Sequence, residues 1–325
     1  MKKFFLTLAA AMMVLCAAAQ PGGGPGGQGR PGGQGGPGGQ GQGGNPFGNM
    51  TQEQMQEMFR RMNEPPTDDS FEMKEISCVS AGKTLYGEAF FPKAPGKHPA
   101  IIMSHGYNGS HSAFYQMIGE FAKEGYICYC YDFAGGGGRS RSEGSPMEMS
   151  IVSERQNLID VVNMVYTWDQ VDKNNIFILG ESQGGCVSGI TAPYVADKIN
   201  SAVLVYPAFC IYDDILAQYK TFEEIPVDYS LMGLQIGREY YRCFFKDNLD
   251  VYKEIVKYPG KFLILHGTND SLVKPEYSAK AVNALNENGN KFEFHLLFGA
   301  GHGFQGEQRE LYYNYVRDFL KKNIK

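Results

Sequence analysis

Between residues 71 and 325, short apolar runs alternate with longer segments in which apolar residues recur at helical spacing. The apolar runs have the length of strands buried on both faces and lie at 99–104, 126–133, 175–180, 202–206, 261–265 and 292–298. The helical patterns lie between most of them, at 111–123, 149–168, 183–195, 275–288 and 308–322. Two stretches of alternating polarity, 71–79 and 84–91, predict a hairpin that turns at Ala81 and Gly82. The pattern predicts an α/β domain over 71–325, with a mainly parallel eight-stranded sheet and helices on both faces.

One interval of the domain breaks this alternation. Residues 210–258 separate two predicted strands by more chain than a plain connection needs. The interval is also rich in Tyr and Phe. We therefore predict that residues 210–258 form a cap inserted into the domain.

The first residues of the chain have the pattern of a targeting segment. Two lysines precede an apolar run that ends in three alanines, which is typical of a signal peptide with a small-residue cleavage site. The run is short for a helix that crosses a bilayer, so we expect no stable membrane span. We interpret residues 1–19 as a signal peptide and predict export to the periplasm, the cell surface or the medium.

Two segments separate the predicted signal peptide from the domain. Residues 20–50 consist largely of Gly, Pro and Gln, and a segment with so few apolar residues predicts a disordered linker. Residues 51–64 predict a short amphipathic helix with Thr51 as its N-cap. The sequence leaves open whether this helix docks on the domain or binds a partner.

Charge and cysteine usage exclude several classes of function. The formal net charge is −5 and no basic stripe is present, which argues against a nucleic-acid binder. No His-Glu-x-x-His or paired Cys-x-x-Cys pattern is present, so we expect no metal and no other cofactor. The oligomeric state is left open by the sequence.

The strongest chemical signal is the segment Gly180-Glu181-Ser182-Gln183-Gly184-Gly185, between a predicted strand and a predicted helix. Gly-x-Ser-x-Gly in that context predicts a sharp turn that lifts a serine hydroxyl above the sheet. Side chains at Gly180 and Gly184 would collide with the neighbouring strand and helix. The pattern therefore predicts Ser182 as a nucleophile.

A serine nucleophile needs a base and an acid that orients the base. His302 lies among small residues after the last predicted strand, and Asp270 lies in the loop after the strand before it. Both residues, like Ser182, follow the carboxyl ends of parallel strands, where open α/β sheets place their sites. Asp132 is a rival acid, but it precedes Ser182, and we expect it to stabilise the glycine-rich loop that follows it.

The oxyanion formed by such a nucleophile needs two hydrogen-bond donors. One predicted donor is the backbone N–H of Gln183, directly after the nucleophile. The other is the N–H of Tyr107, in the glycine-containing loop after strand 99–104.

These residues resemble the α/β-hydrolase superfamily and, within it, the cinnamoyl and feruloyl esterases. The segments that carry the resemblance are 101–107, 131–133, 180–185, 265–270 and 301–304. The resemblance implies Ser182 as nucleophile, Asp270 as acid and His302 as base. It also implies an α/β-hydrolase fold, oxyanion donors at Tyr107 and Gln183, and a cap pocket in which Tyr240 contacts a phenolic ring.

Two positions depart from that resemblance. Glu181 stands where relatives often have His, and the loop after Phe133 reads Gly135-Gly136-Gly137-Gly138-Arg139-Ser140 in place of Gly-His-Gly-x-Ser. Neither change removes a predicted catalytic group.

The sequence thus predicts an exported serine carboxylesterase that forms an acyl-enzyme. The resemblance implies hydroxycinnamoyl esters of plant polysaccharide as substrates, or another small ester. An acetyl or short-chain carbohydrate esterase, a peptidase of related fold and an inactive surface-binding module remain as alternatives.

Overall fold

The computed structural model describes residues 64–325 together with Thr51, Glu53 and Gln54. Within 64–325 the strands are β1 Phe71–Glu75, β2 Cys78–Ser80, β3 Lys83–Leu85, β4 Gly87–Pro92, β5 His98–Ser104, β6 Ile127–Tyr131, β7 Val171–Glu181, β8 Ser201–Val205, β9 Asp228–Leu231, β10 Leu234–Gly237, β11 Lys261–Gly267 and β12 Lys291–Leu297. The α-helices are α1 Tyr115–Phe121, α2 Ile151–Tyr166, α3 Gln183–Thr191, α4 Cys210–Gln218, α5 Arg242–Phe245, α6 Val251–Ile255, α7 Pro275–Glu287 and α8 Glu307–Asn323. Short 3₁₀ turns lie at His111–Phe114, Ala192–Val195, Phe222–Glu224 and Arg238–Tyr241.

Eight of the strands form one sheet in the order β1-β4-β6-β5-β7-β8-β11-β12. Strand β4 is antiparallel to both of its neighbours, and every other neighbouring pair is parallel. This confirms the predicted mainly parallel, eight-stranded sheet. The predicted hairpin is divided: β1 pairs with β4, while β2 and β3 form a small separate ladder around Ala81 and Gly82, both at positive φ.

Each face of the sheet carries its own layer of helices. Alternate residues of the central strands point to opposite faces, so Ile102 and Ile178 join one apolar cluster while Ile101 and Leu179 join the other. Helices α2, α3 and α7 pack on the first face, and α1 and α8 pack on the second. The α/β-hydrolase architecture predicted from the sequence is confirmed.

The last predicted strand differs from the prediction in its burial. The apolar run 292–298 reads as a strand buried on both faces, but β12 is the edge of the sheet and most of its residues are partly exposed. Phe298, which follows it, is 92% exposed. Hydrophobic composition gives no information on which strand lies at an edge.

The segment between β8 and β11, which contains the predicted cap 210–258, folds into α4, a 3₁₀ turn, the β9–β10 hairpin, a second 3₁₀ turn, α5 and α6. Tyr240 and Ile236 of this segment are fully buried against the main apolar cluster. Core residues thus anchor the segment beside the carboxyl ends of the parallel strands.

Of residues 1–63, three are described. Thr51 Oγ1 accepts from the N–H of Gln54 at 3.1 Å, and the N–H of Thr51 donates to Gln54 Oε1 at 2.8 Å. This reciprocal pair is typical of a helix N-terminus. The predicted signal peptide 1–19, the linker 20–50 and most of the predicted helix 51–64 lie outside the described residues and stay predictions. In the part of the chain that is described, no helix has the length and apolar character that crossing a membrane requires.

Candidate active site

Ser182 occupies a sharp turn between β7 and α3, with φ 55° and ψ −118°. The glycines around it are sterically required. A Cβ at Gly180 would lie 2.0 Å from the carbonyl oxygen of Gly184, and a Cβ at Gly184 would lie 2.1 Å from the carbonyl oxygen of Ser104. The collisions predicted from the sequence are present, and they explain how this turn can pack so closely on β5.

The structure brings His302 and Asp270 to Ser182, as predicted. The Nδ1 atom of His302 donates to Asp270 Oδ2 at 2.7 Å, and its Nε2 atom lies 3.0 Å from Ser182 Oγ. Ser182 follows β7, Asp270 follows β11 and His302 follows β12, so nearby strand ends bring together Ser182 and His302, which are 120 residues apart in sequence. A continuous hydrogen-bond path therefore joins the acid, the imidazole and the hydroxyl.

Asp270 is held in place as an ionised acceptor. Its Oδ1 atom accepts the N–H groups of Leu272 and Val273 at 3.0 and 2.9 Å. Burial alone would raise the pKa of this carboxyl, but hydrogen bonding by His266 and His302 and the charge of His302 hold it well below its usual range. Asp270 is therefore a carboxylate over the whole physiological pH range.

The loop that carries Tyr107 lies directly against the serine. A Cβ at Gly106 would lie 3.2 Å from the Cβ of Ser182. His105 fixes the loop, because its Nδ1 atom donates to the carbonyl of Gly106 at 2.7 Å and its Nε2 atom accepts the N–H of Phe133 at 3.2 Å.

Among the described residues, neither predicted oxyanion donor has an intramolecular acceptor for its backbone N–H. Gln183 is the first residue of α3, so its N–H has no acceptor within the helix. Among the described residues, no backbone carbonyl accepts from the N–H of Tyr107. Their catalytic role stays a prediction.

Tyr240 lies behind Gln183 and is completely buried. Its hydroxyl donates to Gln183 Oε1, and its ring packs edge-on against Tyr107 at 6.3 Å between centroids. The resemblance implies that Tyr240 contacts a phenolic ring of the substrate, and that contact stays a prediction. In the structure the hydroxyl of Tyr240 is hydrogen-bonded to Gln183.

Glu154 of α2 is a residue that the sequence analysis missed. It is fully buried, and both carboxylate oxygens accept from Gln183 Nε2, at 2.7 and 2.6 Å. Burial raises the pKa of Glu154 to about 8, and the hydrogen bond from Gln183 opposes this only in part. One signal in the sequence could have identified it, since Glu154 shares the buried helical face of Leu158 and Val161.

Asp132, the rival acid, is used elsewhere. Its Oδ2 atom accepts the N–H of Arg141 at 2.7 Å, and its Oδ1 atom accepts both the N–H and Nδ1–H of His111, at 2.7 and 2.8 Å. It thus holds the glycine-rich loop, as expected. Among the described residues, no group of His, Cys, Asp or Glu is arranged to hold a metal ion.

Comparison with known proteins places this geometry in a family. In fold, the chain is similar to Est1E from Butyrivibrio proteoclasticus with ferulic acid bound, at TM-score 0.65 and 23% identity, covering 76% of this chain and 98% of that one. In sequence, it is 23% identical to a putative esterase/lipase 2 of Mycoplasma genitalium over 270 residues, 74% of this chain and 96% of that protein.

A shorter match connects the chain to mouse monoacylglycerol lipase ABHD6, at 30% identity over 118 residues. That match covers 36% of this chain and 33% of the lipase. Residues 112–325, more than half of the chain, match the model of the prolyl oligopeptidase family. The chain therefore belongs to the prolyl oligopeptidase family and has the α/β-hydrolase fold that it shares with esterases and lipases.

Proposed function

We propose that this protein is a serine carboxylesterase with Ser182 as its nucleophile. The observation that carries the proposal is the hydrogen-bond path from Asp270 through His302 to Ser182. A serine hydroxyl becomes nucleophilic when a correctly oriented imidazole takes its proton. An inactive binding module would not need these three groups in contact.

In the proposed reaction, His302 Nε2 takes the proton of Ser182 while Oγ bonds to the ester carbonyl carbon. Asp270 balances the charge of the imidazolium, and the N–H groups of Gln183 and Tyr107 stabilise the oxyanion. Collapse of the intermediate breaks the ester bond, and the departing alkoxide takes the proton from Nε2. Water then attacks the acyl-enzyme by the same proton transfers, which releases the acid and restores Ser182.

The substrate class that we propose is a hydroxycinnamoyl ester, such as those on plant polysaccharide. Two features support an aromatic acyl group. Tyr107 is half-buried in the loop beside Ser182 and donates to Leu231 of the β9–β10 hairpin, and Tyr229 of the same hairpin stacks on Tyr241 at 6.1 Å, so aromatic side chains lie both in that loop and in the segment that it contacts. In addition, the fold neighbour Est1E has been solved with ferulic acid bound.

Hydrolysis of methyl ferulate and of 4-nitrophenyl acetate tests both parts of the proposal. We expect kcat/KM for the ferulate to exceed that for the acetate, and we expect Ser182 to react with a fluorophosphonate probe. A ferulate rate at background with rapid acetate cleavage would contradict the aromatic acyl group and leave an acetyl or short-chain esterase. No reaction with any ester or with the probe would contradict the esterase itself.

A peptidase is the second candidate, because the family model that matches residues 112–325 is that of the prolyl oligopeptidases. The same nucleophile and base would serve an amide substrate, provided that His302 protonates the departing amine. Aminoacyl 4-nitroanilides, including a prolyl one, separate the two. Anilide turnover faster than ester turnover would favour the peptidase.

We further propose that the protein is exported, on the basis of the lysine-flanked apolar run and small-residue site in residues 1–19. Mass spectrometry of the mature protein is the direct test. A mature chain that begins at Gln20 is expected, and one that retains residues 1–19 would contradict cleavage.

A further inference from the structure

Glu181, the residue directly before Ser182, places a second carboxylate beside the proposed base. The hydroxyl of Tyr312 donates to its Oε1 atom at 3.0 Å, and Tyr206 lies close enough for its hydroxyl to influence the same carboxylate. Burial raises the pKa of Glu181, while these two hydroxyls and the charge of His302 act in the opposite direction. Glu181 is thus close enough to His302 for the two charges to interact.

Tyr206 joins this carboxylate to the imidazole. It follows β8 with φ +36°, a left-handed conformation that is strained for a tyrosine, and its N–H donates to the carbonyl of Leu265 at 2.6 Å. Its ring centroid lies 4.6 Å from that of His302 at an interplanar angle of 55°, and Phe304 packs on the ring at 5.0 Å. The strained backbone therefore holds an aromatic ring against His302.

The surroundings of this cluster define which charges can influence it. The titratable groups that face Glu181 come from the loops after β8 and β12 and from α8, and are Tyr206, His302, Tyr312 and Tyr313. The groups that contact the imidazole of His302 are Asp270, Ser182 and Tyr206. Among these groups of the described residues, His302 is the one whose cationic form attracts the carboxylate of Glu181.

We infer that Glu181 and Tyr206 are positioning residues for His302: the carboxylate anchors the tyrosine hydroxyl, and the tyrosine ring keeps the imidazole aligned between Asp270 and Ser182. The inference rests on the proposed function, in which the imidazole must keep this alignment while it gains and loses a proton. The aromatic face and the nearby carboxylate both favour the imidazolium that forms during the reaction.

Two matched substitutions test the anchoring. Tyr206→Phe and Tyr312→Phe each remove one hydroxyl from Glu181, but only the ring of Tyr206 contacts His302. We expect Tyr206→Phe to lower kcat about fivefold with KM nearly unchanged, because a loosely held base spends less time aligned. We expect Tyr312→Phe to lower kcat less than about twofold. Equal effects of the two variants on kcat would overturn the anchoring role.

Glu181→Gln tests the charge, because the amide keeps an acceptor for the two hydroxyls and loses the negative charge. The imidazolium is then less favoured, so we expect the acid limb of the pH profile of kcat/KM to move to lower pH and kcat on the plateau to fall. A change in melting temperature alone, with an unmoved acid limb, would assign Glu181 a merely structural role and overturn the inference.

The wild-type protein separates this inference from the proposed function. If it neither hydrolyses esters nor reacts with a fluorophosphonate, the proposed function is wrong and the inference falls with it. If it does both, and Tyr206→Phe and Glu181→Gln have the kcat and pH profile of the wild type, the inference alone is wrong.

Discussion

Two glutamates flank Ser182, Glu154 fully buried and Glu181 partly buried, and they differ in what surrounds them. Glu154 lies on the side of the predicted oxyanion donors, and its carboxyl oxygens accept from the neutral amide of Gln183. Glu181 lies on the side of the base, where it accepts from tyrosine hydroxyls and faces His302. A glutamate side chain therefore has a neutral amide as its neighbour on one side of the nucleophile, and an imidazole on the other.

Because of this difference, we expect substitutions at Glu154 and at Glu181 to affect different properties of the protein. Because Gln183 links Glu154 to Tyr240, changes at Glu154 should act on the shape of the turn and on the attachment of the cap segment. Changes at Glu181 should act on the protonation and alignment of His302. The comparison therefore predicts that substitutions at Glu154 change mainly the free energy of unfolding, and that substitutions at Glu181 change mainly the pH profile of activity.

Ser182→Ala is expected to have the largest effect, since it removes the group that both sides serve. We expect kcat/KM to fall about 10⁴-fold or more, with no reaction with a fluorophosphonate. Measurement of ester hydrolysis and of thermal unfolding checks this together, because the folded structure should be retained. Appreciable ester hydrolysis by this variant would mean that another residue is the nucleophile.

Glu154→Leu is expected to follow, because it leaves the buried Nε2 atom of Gln183 without an acceptor. An unsatisfied buried donor costs about 1–3 kcal/mol of unfolding free energy, which urea denaturation can measure. We also expect kcat to fall about tenfold as the N–H of Gln183 shifts, with no movement of the acid limb. A shift of the acid limb would break the division between the two sides.

Glu154→Gln keeps an acceptor at the same position and tests the raised pKa. In the wild type the folded state holds a proton on Glu154 up to about pH 8, well above the range in which the unfolded chain releases it. Stability from this group is therefore full at acidic pH and is lost as pH rises, by about 2 kcal/mol between pH 6 and pH 8. Urea denaturation at both pH values should show this decrease in the wild type and a smaller one in Glu154→Gln. Equal decreases would mean that Glu154 ionises in the folded state as it does in water.

Tyr240→Phe is expected to have the smallest effect. It removes the hydroxyl that donates to Gln183, at a cost of about 1 kcal/mol in unfolding free energy. The acid limb should stay in place, in contrast to Glu181→Gln, and parallel pH profiles of the two variants measure the contrast. If the acid limb shifted equally in Tyr240→Phe and Glu181→Gln, the surroundings of Gln183 and of His302 would not be electrostatically separate.

Much of the fold and of the site could be predicted from the sequence because the signals are local. Buried parallel strands are continuously apolar, and the steric demands at Gly180 and Gly184 fix the spacing of the serine turn. The chain order of Ser182, Asp270 and His302 then follows from the order of strand ends. For this reason the proximity of these three residues could be predicted from the sequence alone.

The residues around the site could not be predicted in the same way, because their partners are distant in sequence. The helical periodicity places Glu154 on a buried face, but its partner Gln183 lies on another helix and could not be identified from the sequence. The ring of Tyr206 meets His302 only through a backbone conformation that tyrosine rarely adopts. The partial exposure of β12 likewise depends on its place at the edge of the sheet, which its own sequence does not indicate.

The hydroxyl of Tyr107 donates to the carbonyl of Leu231 in the β9–β10 hairpin, at 3.1 Å, while its backbone lies beside Ser182. A single residue therefore belongs both to the loop beside the proposed nucleophile and to the contact with the hairpin of the predicted cap. A replacement hairpin in an engineered variant must still offer an acceptor to this hydroxyl if the loop is to keep its position. A chimera lacking that acceptor would change its turnover number together with its selectivity.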